Sequence, residues 1–413
     1  MTLAATMGFG FARRVSAAAL AFSVCLLLYA KWNMLRQNIQ LQASVVTVAE
    51  VTRGFTTDAT DADEADDRNR NCSAIHDVFF LKVHKCASST LQNMFMRYGK
   101  RHKLTFVLPP RGNYVGYTSP LDASAIVRHP SGVYNMLVHH SRFELRSVRA
   151  LMPRAVLTAV VRRPAAVFES LYHFSHWEQR FNVNLTTFLT DPRGFTARKH
   201  AKPGRSPPPR NSMLYDFGLP AEQFWNKTRI YETAQAVRAT FDLVMLAERM
   251  EESLVLLRAL LCWPWRDVVV LSANVRAAEA KRQSGGGGSG AMTAELAHSI
   301  ETWNWGDAIL YGVLADTFES RVAAYGRANM QRDLAVLRRV TRREHARCIA
   351  GTASNVEQTD ARLRAYSDDV ITFRLHELTD ACVDLAKTEL QFTNELREAL
   401  LEDVRRHSRR TMT

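Results

Sequence analysis

The chain has 413 residues, of which 46% are apolar and 23% are charged, and its formal net charge is +13. This composition is typical of a globular protein with one large domain or two, and it excludes a chain too polar to build a core. The positive charge favours anionic ligands, but no segment resembles a nucleic-acid-binding module, so we expect no nucleic-acid partner.

The N-terminal segment has the pattern of a membrane anchor. Residues 15–30 are apolar or small apart from two serines, with Arg13 and Arg14 before them and Lys31 after. The stretch is short for a span, but flanking cations can snorkel and early secretory membranes are thin. A cleaved signal peptide is the alternative, although no clear cleavage site follows. We predict a cytosolic tail at 1–14, an uncleaved transmembrane signal anchor at 15–30 and a lumenal remainder.

The segment that follows, residues 31–74, is polar and partly acidic, so we predict a stem. Glycosylation sequons begin at Asn71, Asn184 and Asn226 and favour a lumenal location. The folded domain should run over 75–413, interrupted by a flexible glycine-rich loop at 284–290.

Five cysteines follow the anchor, and they are Cys72, Cys86, Cys262, Cys348 and Cys382. They form no CxxC pair and no Cys/His spacing typical of a metal site, so no metal is expected. An oxidising lumen would allow up to two disulfides, and we expect Cys86 to be the free thiol.

Strand-like and helix-like segments alternate through the folded region. Apolar runs at 78–83, 156–161 and 243–246 are typical of buried strands, and helical spacing follows the first of them. Pro164 follows the second run, where a helix would begin. Apolar strands separated by helices predict an α/β fold in which helices cover both faces of a parallel sheet.

The loop after the first strand carries cations and hydroxyls at the start of a helix. A helix N-terminus receives phosphate or sulfate through its free N–H groups and its dipole. Lys85 would face the charge that develops on a leaving phosphate. The loop lacks the GxxxxGK[ST] pattern, which disfavours a kinase or NTPase, and an ordinary capped helix remains the plain alternative. The candidate anion-binding residues here are Lys82, Lys85, Cys86, Ala87, Ser88, Ser89 and Thr90.

A second motif lies after the second clear strand. Arg162 can contact a phosphate in bidentate fashion, and Ser170 lies about two helical turns further on. An arginine cap and a buried serine are the structural alternative.

Together the two motifs resemble the donor-binding elements of sulfotransferases that use 3′-phosphoadenosine 5′-phosphosulfate (PAPS). The loop at Lys85 is similar to their 5′-phosphosulfate loop, and Arg162 with Ser170 matches their 3′-phosphate element. The likeness to one family, the galactose 3-O-sulfotransferases, spans roughly residues 75 to 350. It rests on blocks at 81–91, 139–143, 148–153, 164–171, 241–248, 252–257 and 260–263. Cys86 stands where the family loop is expected to carry threonine.

The resemblance implies a P-loop-like sulfotransferase fold behind an N-terminal membrane anchor helix. It also implies a single-pass type II location in the Golgi membrane and PAPS as the donor. The reaction would be sulfuryl transfer to a galactose hydroxyl, with the 3-OH favoured, on a glycolipid or glycan. A glycosaminoglycan 2-O- or 6-O-sulfotransferase and a non-catalytic, lectin-like Golgi protein are the alternatives. A homodimer is compatible with the sequence.

Such transfer needs a general base, and imidazole titrates near neutral pH. His139 and His140 follow a short apolar run, and neighbours in an extended chain point to opposite sides, so only one would face the site. We expect His140 to be the base. His84, inside the donor loop, is the rival.

Overall fold

The computed structural model describes residues 72–117, 121, 123–198, 207–271, 292–365 and 370–410. The predicted tail and anchor, all but the last three residues of the stem, Asn71 and the loop at 284–290 lie outside these ranges. Within them, no helix combines the length and the apolarity needed to cross a bilayer.

A four-stranded parallel sheet forms the centre of the fold, in the order β2-β1-β3-β4. Val78 in β1 pairs with Met136 in β2 on one side and with Val156 in β3 on the other. Nearly every strand residue is buried, because helices cover both faces. The predicted parallel sheet flanked by helices is therefore confirmed. The strands are β1 (Val78–Leu81), β2 (Met136–Leu137), β3 (Val156–Val161) and β4 (Leu243–Leu246).

The first strand ends two residues earlier than its apolar run predicts. The backbone N–H of Val83 donates to the carbonyl oxygen of Leu81 at 3.0 Å, which closes a tight turn. This turn carries the chain out of the sheet and into the predicted donor loop.

Fourteen helices of four or more residues occur in the described ranges. Near the first strands they are α1 (Ser88–Arg101), α2 (Leu145–Leu151), α3 (Pro164–Phe174), α4 (Trp177–Phe181), α5 (Leu185–Phe188), α6 (Pro192–Arg198) and α7 (Ser212–Asp216). The others are α8 (Lys227–Thr240), α9 (Met250–Leu261), α10 (Ala294–Trp303), α11 (Trp305–Tyr325), α12 (Arg327–Cys348), α13 (Asp380–Ala386) and α14 (Glu389–Arg410).

The helices form two groups that place the site. Helices α13 and α14, from the C-terminal part of the chain, pack on α1. Helices α9 and α11 pack on β4, and α8 packs on α11. The helix after the donor loop is thus held by segments far away in sequence, whereas α9 follows closely after the strand on which it packs.

A small antiparallel hairpin, β5 (Ile349–Ser354) with β6 (Ile371–Leu375), adjoins the C-terminal helices. Disulfides join Cys72 to Cys262 and Cys348 to Cys382, closing sequence separations of 190 and 34 residues. Loops of these lengths correspond to about 5 and about 4 kcal/mol of lost unfolded-state entropy. Cys86 is the free thiol among the described cysteines, so the expectation of two disulfides and a free Cys86 is confirmed.

Candidate active site

The strand order opens a crevice at the carboxyl ends of β1 and β3. The chain leaves β1 towards β2 and leaves β3 towards β4, so these two neighbouring strands diverge. In parallel sheets, ligands bind outside the carboxyl ends of the strands at such a point. The donor loop and Arg162 both lie there, and Arg162 Nη1 donates to the carbonyl oxygen of Lys85 at 3.3 Å. The fold therefore brings the two predicted motifs into contact.

The backbone of the donor loop is strained. Lys85 and Ala87 both adopt the left-handed conformation, with φ of 59° each, which costs an L-residue about 1–2 kcal/mol. The Ser88 hydroxyl holds the turn by donating to the carbonyl oxygen of Val83 at 2.7 Å. The result is a tight turn that starts the 14-residue helix α1 at the edge of the crevice. The N–H groups and the dipole of its first turn suit an anion at that edge.

The side chain of Lys85 contacts α3, the helix that carries Ser170 of the second motif. The Lys85 ammonium lies 3.8 Å from the centre of the Phe174 ring. Ser170 precedes Phe174 by four residues on the same helix, so the two side chains share a face. Ser170 and Arg162 are both half-buried. Lys85, Arg162 and Ser170 therefore border one region, as a donor with two charged phosphate positions requires.

The other loop residues differ in their burial. Cys86 is buried, its thiol donates to the carbonyl oxygen of His84, and burial raises the pKa of this thiol well above its usual value. Thr90 is buried, Ala87 is exposed and Ser89 is half-buried, with its hydroxyl 3.3 Å from Glu389 Oε2. The hydroxyl of Ser88 and the thiol of Cys86 thus shape the loop, while Lys85 and the helix N-terminus lie at the crevice.

Lys82 occupies a buried polar network. Its ammonium donates to Glu389 Oε2 at 2.8 Å and to His140 Nε2 at 2.9 Å. Asn113 donates to the other oxygen of Glu389 at 2.8 Å. Burial alone would raise the pKa of Glu389, but the Lys82 charge outweighs it and the pKa lies below its usual value. Lys82 therefore forms a buried ion pair with Glu389 and also contacts His140.

The ring and the backbone of His84 both contact one carboxylate, that of Asp216. Its Nδ1 lies 3.1 Å from both oxygens of Asp216, and its backbone N–H donates to the same carboxylate at 2.8 Å. Tyr117 donates its hydroxyl to Asp216 at 2.7 Å. Because a carboxylate only accepts, Nδ1 of the neutral ring carries the hydrogen and Nε2 keeps its lone pair. The Nε2 atom lies 3.3 Å from the Tyr114 hydroxyl.

His140 stacks on His84 with ring centres 4.1 Å apart, yet its chemistry differs. Its Nε2 accepts from Lys82, so its Nδ1, which is buried without a hydrogen-bond partner among the described residues, carries the hydrogen. Burial lowers its pKa well below the usual value, and the nearby Lys82 charge adds to the effect. His139 is fully buried against Thr393, and burial lowers its pKa to about 4. Of these three histidines, His84 is the one whose ring contacts a carboxylate within hydrogen-bond distance in the described residues.

Two of the three sequon asparagines fall in the described ranges. Asn184 and Asn226 are exposed, and each caps a helix by accepting a backbone N–H, from Thr187 and Arg229 respectively. Both lie at the surface, where a glycan could be accommodated.

Comparisons with known proteins identify the family of the chain. A family model described as galactose-3-O-sulfotransferase matches residues 10–400. The chain belongs to the galactose-3-O-sulfotransferase family. The resemblance seen in the sequence motifs is confirmed.

Relatives in the family are about one third identical to the chain. It is 34% identical over 294 residues to galactosylceramide sulfotransferase of Bos taurus, covering 68% of this chain and 66% of that relative. It is 32% identical over 342 residues to galactose-3-O-sulfotransferase 3 of Mus musculus, covering 77% of each. The chain thus spans just under two thirds of the galactosylceramide sulfotransferase it matches. No solved structure was found to match the chain.

This member of the galactose-3-O-sulfotransferase family holds several site residues that the sequence did not reveal. Asp216 comes from a five-residue helix, Tyr114 and Tyr117 come from an irregular segment, and Glu389 begins α14. None of them follows a strand in a recognisable motif. The signal that could have found Asp216 and Glu389 is chemical, since a buried lysine and a functional histidine both require an acidic partner.

Proposed function

We propose that this chain transfers a sulfuryl group from PAPS to a galactose hydroxyl, with the 3-OH expected, on a glycolipid or glycan. The observation that carries the proposal is the position of His84 beside Lys85. A buried histidine oriented by a carboxylate and a lysine just before a helix N-terminus occupy one loop at the carboxyl ends of the strands. The names of the relatives, galactosylceramide sulfotransferase and galactose-3-O-sulfotransferase, support galactose as the acceptor.

The residues present fit the PAPS donor. Lys85 and the first-turn N–H groups of α1 would hold the 5′-phosphosulfate. Arg162 and Ser170 would hold the 3′-phosphate. The contact of Arg162 with the Lys85 carbonyl keeps the two anion positions in a fixed relation. We propose on this basis that the central sheet is the P-loop-like sulfotransferase fold.

The chain's own groups divide the chemistry between them. His84 Nε2 takes the proton of the acceptor hydroxyl while the hydroxyl oxygen forms a bond to sulfur. The bond from sulfur to the bridging phosphate oxygen breaks, and the electron pair stays on that oxygen. Lys85 and the α1 dipole would stabilise the resulting charge, since a cation and a helix N-terminus both favour a developing anion. The products are the sulfated galactoside and 3′,5′-ADP.

Asp216 makes His84 an effective base in this scheme. It fixes the ring with Nδ1 protonated, and its charge stabilises the imidazolium that forms during transfer. An acceptor hydroxyl would have to reach His84 Nε2. The Tyr114 hydroxyl lies 3.3 Å from this atom, so a hydroxyl group can approach it.

We also propose a type II arrangement in the Golgi membrane, with residues 15–30 as anchor and the catalytic domain in the lumen. Two disulfides and exposed asparagines in sequons, Asn184 and Asn226, support an oxidising, glycosylating compartment. With Asn71, three glycans are expected. A shift on glycosidase treatment and retention of the chain in alkali-washed membranes would be measured, and release by alkali would contradict the anchor.

The transfer reaction is tested with Lys85→Ala. The full chain is incubated with radiolabelled PAPS and a panel of galactosides, and the linkage of the labelled product is determined. We expect the variant to lose transfer, since mutations that remove a transition-state charge contact typically cost about 10²–10³-fold in kcat. Undiminished transfer would overturn the assignment of Lys85.

Lys103→Ala is the matched control. Lys103 is exposed and also adopts a left-handed backbone, with φ of 52° against 59° for Lys85. Both substitutions therefore remove a lysine from the same class of backbone conformation. Only the Lys85 variant should lose activity, and an equal loss in both would point to folding rather than chemistry.

A further inference from the structure

The five-residue helix α7 ends at Asp216, the residue that orients His84. A helix this short is not stable by itself, because its single turn cannot offset the cost of nucleation. Its cap residue, Asn211, makes no side-chain hydrogen bond to the helix. Something outside α7 must therefore hold it in place.

Asp307, in the first turn of α11, supplies that support. Its two carboxylate oxygens accept the backbone N–H groups of Met213 and Leu214, at 3.1 and 2.9 Å. These are N–H groups of the first turn of α7, which a helix cannot satisfy internally. Asp307 therefore performs the capping that the helix's own residues do not.

The support is reciprocal. The side-chain oxygen of Asn211 accepts the backbone N–H of Asp307 at 3.2 Å, and the backbone N–H of Asn211 donates to Asn304 Oδ1 at 2.8 Å. Each helix start is thus capped by a residue from the other. Asn211, Asn304 and Asp307 are all buried, so breaking any of these bonds would leave a polar group without water.

The two helix starts also pack without spare room. A Cβ at Gly306 would lie 2.8 Å from both Asn211 Nδ2 and Leu214 Cδ1. Real Cβ atoms essentially never lie this close to a non-bonded atom, so Asn211 and Leu214 would have to shift to admit a larger residue. The position of Asp216 is therefore set by the first turn of α11.

We infer that Asp307 is a positioning residue for sulfuryl transfer, acting through α7 and Asp216 to hold His84 in its reactive orientation. The inference rests on the proposed function, in which His84 is the base. It adds a residue 223 positions from His84 to the catalytic arrangement, and that residue touches neither donor nor acceptor.

The test compares Asp307→Ala and Asp307→Asn in the full chain. Without a capping oxygen, we expect Asp307→Ala to lower kcat for galactoside sulfation by about 10²-fold, the size of effect that a misplaced reacting group produces. Asp307→Asn keeps one acceptor oxygen, so its kcat should lie between those of wild type and Asp307→Ala. The Kd for 3′,5′-ADP should change less than about twofold in both, because the donor contacts are on other elements.

Asp333→Ala is the matched control, since Asp333 is also a buried helical carboxylate but bonds to Tyr325 and Arg332. It should leave kcat within about twofold of wild type. An equal fall in kcat for the Asp333 variant, or an unchanged kcat in both Asp307 variants, would overturn the inference. Should Asp307→Ala fail to fold, Asp307→Asn carries the same comparison.

Hydrogen exchange separates this inference from the proposed function. The amides of 212–216 should exchange faster in Asp307→Ala than in wild type, whatever the reaction. If wild type sulfates no galactoside, the proposed function fails and exchange alone judges the support of α7. Unchanged protection of these amides would show that Asp307 does not hold the helix.

Discussion

At the residue scale, two histidines in stacking contact have neighbours of opposite charge. His84 meets a carboxylate at Nδ1, which leaves Nε2 as the basic atom. His140 meets an ammonium at Nε2, which occupies that lone pair. The partner, rather than the ring, therefore decides which histidine can accept a proton.

Asp216→Asn tests this assignment. The amide is nearly the same size, but it carries no charge and its NH₂ group can favour the wrong tautomer of His84. We expect kcat for galactoside sulfation to fall by about 10²–10⁴-fold while binding of 3′,5′-ADP is retained. Asp333→Asn, another buried carboxylate, is the control and should retain activity. Retained kcat in Asp216→Asn would remove His84 as the base and return attention to His140.

The sequence singled out Lys85, Arg162 and Ser170 as candidate donor-binding residues because each follows a strand within a short motif. It favours His140 over His84 as the base, whereas our proposal of His84 rests on the Asp216–His84 and Lys82–His140 contacts, which span 132 and 58 residues. Such contacts leave no local pattern. Motif spacing could therefore predict that a lysine loop and an arginine meet at one edge of the sheet, whereas the choice between the histidines depends on their neighbours in the fold.

At the element scale, α14 completes the donor loop from the opposite end of the chain. Its first residue, Glu389, pairs with Lys82, which is 2% exposed. Removing one partner of a buried ion pair leaves the other charge without compensation, which is costly. The stability of the loop therefore depends on the position of this helix.

A double-mutant cycle at Lys82 and Glu389 measures that dependence. We expect Glu389→Gln to lower the free energy of unfolding by about 3–5 kcal/mol, because it leaves the buried Lys82 charge without its carboxylate partner. Adding Lys82→Met should recover part of the loss, since no buried charge remains. Denaturant unfolding of the four proteins gives the coupling energy.

The exposed pair Arg338 and Glu251 provides the comparison. Its side chains are 52% and 50% exposed, so Glu251→Gln should cost less than about 1 kcal/mol. Equal losses at Glu389 and Glu251 would mean that the Lys82 pair is not buried in solution.

At the scale of the whole molecule, the central sheet was the most predictable part. Three of its four strands are apolar runs of four or more residues. Such runs are typical of strands in a sheet that is covered on both faces. The fourth, β2, has two residues and was visible only as a short apolar run. The C-terminal helices α13 and α14 were not placed, because their partner α1 lies about 290 residues away.

Stability towards acid is a property of the whole fold, and buried His139 predicts that lowering the pH destabilises the folded chain. Burial lowers its folded pKa to about 4, below the usual 6.5, so the unfolded chain takes up the proton first. This contribution to stability is intact above pH 6.5 and is lost as the pH falls towards 4. His139→Gln lacks it, so the gap in unfolding free energy between wild type and variant should narrow by about 3 kcal/mol over that range.

Denaturant unfolding at several pH values between 7.5 and 4 measures the gap. A constant gap would mean that His139 takes up its proton in the folded chain as readily as in the unfolded one, contrary to its burial.

The ion pair of Lys82 and Glu389 also has a consequence for folding during synthesis of the chain. Its partners are 307 residues apart, and a ribosome adds about 5–20 residues per second, so about 15–60 s separate their synthesis. Throughout that interval the lysine beneath the donor loop lacks its carboxylate. The first motif of the folded region to leave the ribosome is thus among the last to be finished. A chain that stops short of residue 389 would carry every donor motif without the helix that completes the site.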